Sequence, residues 1–153
     1  MPTAIRLEFF GEAQLSRTID RTLDALDDAS PAWERIADLF AVEERRQFST
    51  EGGYASGGWA PLSPDYAAWK AHVAPGKPIL ELTGDLKRSL TERPFGVEVI
   101  LPHRMVIGSD VDYGKYHQAG GAHLPRRRPV ELRERTRVAW VKIIQRYIVT
   151  GRV

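Results

Sequence analysis

The chain has 153 residues, 42% of them hydrophobic, and a formal net charge of +2, which suits one globular domain with its own core and leaves too little for two full domains. The absence of cysteine excludes disulfides and thiolate metal sites. No apolar run approaches the roughly 20 residues that cross a bilayer, and the start Met-Pro-Thr-Ala-Ile-Arg-Leu-Glu lacks the form of a signal peptide, so a soluble protein made in the cytoplasm is expected. The charge is divided along the chain. Residues 1–80 hold 8 basic against 12 acidic side chains, a net −4, and residues 81–153 hold 14 against 8, a net +6. Such polarity favours head-to-tail contact between copies or contact with an acidic surface; a solvated exterior is the plainer alternative.

Residues 4–10 alternate, with Ile5, Leu7 and Phe9 on one face, the period of a half-buried strand that Gly11 ends. From Glu12 to Asp27, Leu15, Ile19, Leu23 and Leu26 form one helical stripe. Ser30-Pro31 reads as N-cap and first helical residue of a second helix reaching Phe48, with Trp33, Ile36, Ala37 and Phe40 as its stripe and Glu43 to Arg46 as a charged tail. The short connection predicts an antiparallel helical hairpin that buries both stripes against the first strand.

Gly52-Gly53 and Gly57-Gly58 make residues 49–58 a loop that gains order from a partner. Ser63-Pro64-Asp65 opens a short helix carrying Tyr66, Trp69 and Lys70, which Pro75, Gly76 and Pro78 break. Thr83 caps a further short helix with Leu86 and Leu90 one turn apart. Residues 95–101 and 104–108 are expected to form an antiparallel strand pair, Tyr113 to Gln118 a helical turn, and Val130 and Leu132 a last strand. The final helix runs from about Arg133 to Val149, with Val138, Val141, Ile144 and Ile148 on one face. The expected class is therefore α+β: a small, mainly antiparallel sheet, an N-terminal helical hairpin, an extended central arm over residues 49–78 and a long C-terminal helix, all in a single domain spanning 1–153.

Residues capable of chemistry are sparse. The glycine-rich run lacks the Gly-Lys-Ser/Thr of a phosphate-binding loop, and no Gly-x-Ser-x-Gly occurs. His72, His103, His117 and His123 match no ligand spacing, so a hydrolase built on His117 or His123 with Asp110 has little support. Two features point to partners. Trp59, Leu62, Tyr66 and Trp69 are interface candidates, with a local core as the alternative for the aromatics. Arg126, Arg127 and Arg128 suit subunit contact or, as the alternative, nucleic-acid phosphates, although Glu131 and Glu134 partly neutralise the region. Trp59→Ala or deletion of residues 50–58 is expected to spare the fold and impair a partner contact.

Phe48, the glycine-rich insert, Trp59-Ala60-Pro61-Leu62-Ser63, Lys70 and Ile79-Leu80-Glu81-Leu82-Thr83-Gly84-Asp85-Leu86-Lys87-Arg88-Ser89 together resemble the Mu-like phage virion morphogenesis, or tail completion, proteins. Tyr113-Gly114-Lys115-Tyr116-His117-Gln118-Ala119-Gly120 and Pro125-Arg126-Arg127-Arg128-Pro129 continue the resemblance, which covers nearly the whole chain and departs at Val130, where an aromatic residue is usual. It implies a non-enzymatic virion structural protein, assembled in the host cytoplasm, that completes the head-proximal end of a phage tail and takes part in head-tail joining at the neck. The form implied is a homo-oligomeric ring around the DNA channel, a hexamer or alternatively a dodecamer. Its implied neighbours are the tail terminator, the tail tube and head-closure or adaptor proteins, with non-specific contact to channel DNA. The resemblance brings no catalytic residues, cofactor, metal or membrane.

Overall fold

The computed structural model describes residues 12–153, so the strand expected over 4–10 lies outside the described residues. In chain order the described elements are α1 (Glu12–Asp27), α2 (Ser30–Ser49), α3 (Pro64–Val73), α4 (Asp85–Thr91), β1 (Val97–Leu101), β2 (Arg104–Gly108), α5 (Gly114–Ala119) and α6 (Glu134–Thr150). The class is α+β, and helix dominates.

α2 is the element on which the others are laid. Its first turn has orphan N–H groups, and the Asp28 carboxylate accepts from Ser30 N at 2.8 Å. Those Ser30 hydrogen bonds hold the Asp28 carboxyl below the usual carboxylate range. Asp28 thus takes the capping role expected of Ser30, which is already helical. The inner face of α2 presents Ile36, Ala37, Phe40, Ala41, Glu44, Gln47 and Phe48. Against it pack Leu86 and Leu90 of α4, and Phe95, which meets Phe40 edge to face with centroids 5.3 Å apart. Trp140 of α6 closes the other side of Phe40 at 6.4 Å.

β1 and β2 pair antiparallel in the register Val97↔Gly108 to Leu101↔Arg104, with Pro102-His103 as the two-residue connection. Ile100, Met105 and Ile107 turn towards the core, while Val97, Val99, Leu101 and Val106 remain exposed. Arg93 ties this hairpin to α2: its guanidinium donates to Asp38 at 2.9 Å and Glu34 at 2.5 Å and forks onto Glu98. The Arg93 hydrogen bond is the main cause that holds Glu98 below its ordinary pKa.

Three expectations change. No third strand forms at Val130 and Leu132, because the Gln118 amide occupies the place of a neighbouring strand. It accepts from Val130 N at 3.1 Å and donates to Val130 O at 2.8 Å. The charged tail of α2 is not solvated throughout: Glu44 is 1% exposed, and Glu43 accepts from Tyr54 and Thr136. Both N-terminal helices form in the expected order, yet α1 lies along α6 rather than back along α2. Tyr147 of α6 donates to Asp28 O at 3.1 Å, and the Arg21 stem approaches Gly151. α1 therefore runs antiparallel to α6, and Leu15, Ile19, Leu23 and Leu26 stay exposed instead of buried.

Candidate functional site

The far end of α2 is closed by the glycine-rich segment. Gly52 N donates to Gln47 O at 2.8 Å, Ser56 N to Gly52 O at 2.9 Å and Trp59 N to Glu51 O at 2.7 Å, so residues 50–59 fold back on the helix as hydrogen-bonded turns. The Gln47 side chain braces them, accepting from Ala55 N and donating to Ser56 Oγ and Arg128 O. Gly52 sits at φ +82°, and a Cβ there would lie 2.4 Å from Trp59 Cδ1. Glycine is thus required both for the left-handed backbone and for the approach of the indole. Trp59 is 7% exposed, edge to face with Phe48 at 5.3 Å, and its Nε1 donates to Arg128 O at 2.9 Å.

Arg127 completes this clasp from the opposite strand of chain. Its Nε donates to Ala60 O at 2.6 Å and its Nη2 to Pro61 O at 2.7 Å, while its N–H bonds His117 O at 3.0 Å. Burial presses its pKa below the ordinary arginine value, but a guanidinium keeps its proton. Lys70 of α3 is likewise buried and donates to Pro78 O. Burial lowers its pKa, with Glu51 and Glu81 opposing that shift.

Between α3 and α5 the clasp leaves a groove of about 680 Å³, walled by Leu62, Tyr66, Leu80, Leu82, Tyr113 and Leu124. Leu80 holds φ +63°, a left-handed conformation that is costly for a branched side chain and is kept only where its surroundings enforce it. On the groove wall, His117 has a buried Nδ1 without a hydrogen-bond partner, and burial, then Arg127, holds its pKa below the ordinary histidine value. Neutral imidazole is therefore its form at pH 7.

The residues singled out from sequence divide. Trp59 and Arg127 are buried within their own chain and act as its clasp, which for Trp59 is the local-core alternative of the sequence reading. Residues 49–58 are part of that clasp rather than an open arm. Leu62 is half-buried on the groove wall; Tyr66 and Trp69 are exposed, with ring centroids 5.3 Å apart. Arg128 pairs with Glu131, and Arg126 is exposed with its Nε on Gln118 O at 3.1 Å. The arginine run is thus largely committed to internal bonds. Asp110 lines a different cavity from His117 and His123, and among the described residues no three His, Cys, Asp or Glu side chains gather where they could hold a metal. Leu80, Leu82, Tyr113 and Leu124 were not singled out, since short apolar pairs in turn-rich sequence carry no periodicity to mark a shared wall.

The groove and clasp are built from the segments that carried the resemblance, and the model of the phage virion morphogenesis family matches residues 11–147. The chain belongs to that family. Its part is in building a phage particle, which entails contacts with other virion components. No match was found among curated proteins or among solved structures. Among the described residues no helix is long and apolar enough to cross a membrane.

Proposed function

We propose that this family member is a non-enzymatic structural subunit that completes the head-proximal end of a phage tail and helps join tail to head, as a ring of copies around the DNA channel. The observation that carries the reading is the exposure of a whole helical stripe, with Leu15 at 62%, Ile19 at 49%, Leu23 at 54% and Leu26 at 49%. An apolar row of that kind on a family of virion builders suits a subunit whose surface is covered in an assembly. The division of charge, net −4 before residue 81 and +6 after it, suits contact between unlike surfaces, and such heterologous contacts close into rings when the rotation permits.

Light scattering of the purified protein, alone and with tail tubes, tests the ring; a closed oligomer of one size is expected. Inactivating the gene in its phage or prophage is expected to leave filled heads and tails unjoined, with joining restored by added protein. Joined, infectious particles without the protein would overturn the function.

A further inference from the structure

Among the apolar surfaces that the described residues leave open, the stripe of α1 and the groove lie at opposite ends. α2 has 20 residues, so its ends are about 30 Å apart. At its start sit Pro102 O, bonded to Ala29 N, and the Tyr147 end of α6. At its far end sits the Phe48–Trp59 clasp, beside which the groove opens. α1 extends from the first end. Every residue from Ala13 to Arg21 is exposed, and the helix meets α6 only through its later turns, where Ala25 is buried and Arg21 approaches Gly151.

The orientation of α1 is informative. At about 100° per residue, the face around Arg21, Thr22 and Ala25 is the one that meets α6. Leu15, Ile19, Leu23 and Leu26 centre about 100° round the helix from that face, so the most apolar side of α1 is not the side that packs on α6. Asp20 and Asp27 border the outer edge of the stripe. Arg17 and Arg21 project on the opposite side, where Arg21 joins Arg146 and Arg152 around a separate cavity.

The groove offers the complement. Its walls are mainly leucine, tyrosine and proline; Lys70 and Arg127 are buried beside it with their donors on Pro78, Ala60 and Pro61 carbonyls, Lys87 pairs with Glu81, and Arg126 is exposed, so the local charge balance is positive. We infer that α1 of one copy docks in the groove of the next, its leucine stripe on Leu62, Leu80, Leu82 and Tyr66 and its Asp20 and Asp27 edge towards the net positive rim that Arg126 exposes. This is the helix-in-groove mode, read as anchors one and two turns apart. Because the two surfaces lie at opposite ends of the chain, the contact is head-to-tail, and repeated by rotation it builds the ring proposed above, on which this inference rests.

The chain has no cysteine, so single cysteines report one contact each. Leu23→Cys on α1 and Leu82→Cys on the groove wall are both at exposed positions. Under mild oxidation, in solution and in purified particles, a mixture of the two single variants is expected to form a disulfide between unlike copies, while each variant alone stays uncrosslinked. The double variant is expected to give a ladder that ends in a closed ring on non-reducing gels. Leu23→Asp is expected to weaken association about tenfold or more with an unchanged circular dichroism spectrum. Crosslinking of Leu23→Cys with itself would overturn the inference in favour of a two-fold contact between α1 helices. A ring of normal size without the unlike crosslink would overturn the docking and leave the ring standing. Monomers in solution with no crosslink in particles would remove both.

Discussion

The two ends of α2 receive apolar side chains of similar sequence character and treat them oppositely. At the far end, Phe48 and Trp59 are 0% and 7% exposed and locked by Gly52 and Gln47 close by and by Arg127 and Arg128 from across the chain. At the near end, the four-residue stripe of α1 is about half exposed and has no comparable lock among the described residues. The difference teaches that an amphipathic pattern specifies a face and leaves its occupant open. Polar groups that reach across the chain decide whether the occupant is internal.

The largest expected effect is at the closed end. Trp59→Ala removes the ring that fills the space over Phe48 and leaves Arg128 O without its indole donor, so a loss of about 3–5 kcal/mol is expected from denaturant unfolding. A variant as stable as the wild type would mean that the clasp is not part of the core, and the contrast with α1 would fail.

Glu44 gives the next largest. It is buried, its Oε2 lacks a partner, and burial, with Glu43 adding repulsion, pushes its pKa from 4.5 up to about 8. The unfolded chain releases this proton near 4.5 and the folded one near 8. Between those values the folded state binds more protons, so stability falls as pH rises through the window. Glu44→Gln removes the penalty and is expected to stabilise the protein at pH 8 by on the order of a few kcal/mol, with little gain at pH 4. Thermal melts of both proteins across that range would show parallel curves if the carboxyl were in truth solvated.

Gly52→Ala probes the same end more gently. The substitution puts a Cβ against the indole of Trp59 at φ +82°, and a loss of about 1–3 kcal/mol is expected, with blue-to-red movement of tryptophan emission as the ring leaves its seat. A red shift without loss of stability would place Trp59 outside the core.

Much of the fold was legible. The helices over residues 12–27, 30–49 and 134–150 follow from apolar spacing, and the β1–β2 pair from alternation that survives an unfavourable Pro102-His103 turn. What escaped was long-range. Nothing local says that Arg127 reaches Ala60 and Pro61 across 66 or more positions, or that Gln118 stands in for a strand beside Val130. A glycine-rich run reads as freedom, yet here its glycines supply the backbone shapes that let turns close on α2. The groove was invisible for the same reason: its walls come from residues 61–83, 113–117 and 123–127, joined only by folding.

The smallest effect belongs to the open end, and it is the sharpest test of the contrast. Leu23 is 54% exposed, on a side of α1 turned away from α6. Leu23→Asp, measured at dilutions where the protein is monomeric, should therefore shift unfolding stability by no more than about 0.5 kcal/mol. The same change at a buried leucine such as Leu86, 1% exposed, would place an unpaired charge in the core and unfold the domain. A loss of several kcal/mol at Leu23 would show that the stripe is packed against its own chain, and the two ends of α2 would then be alike.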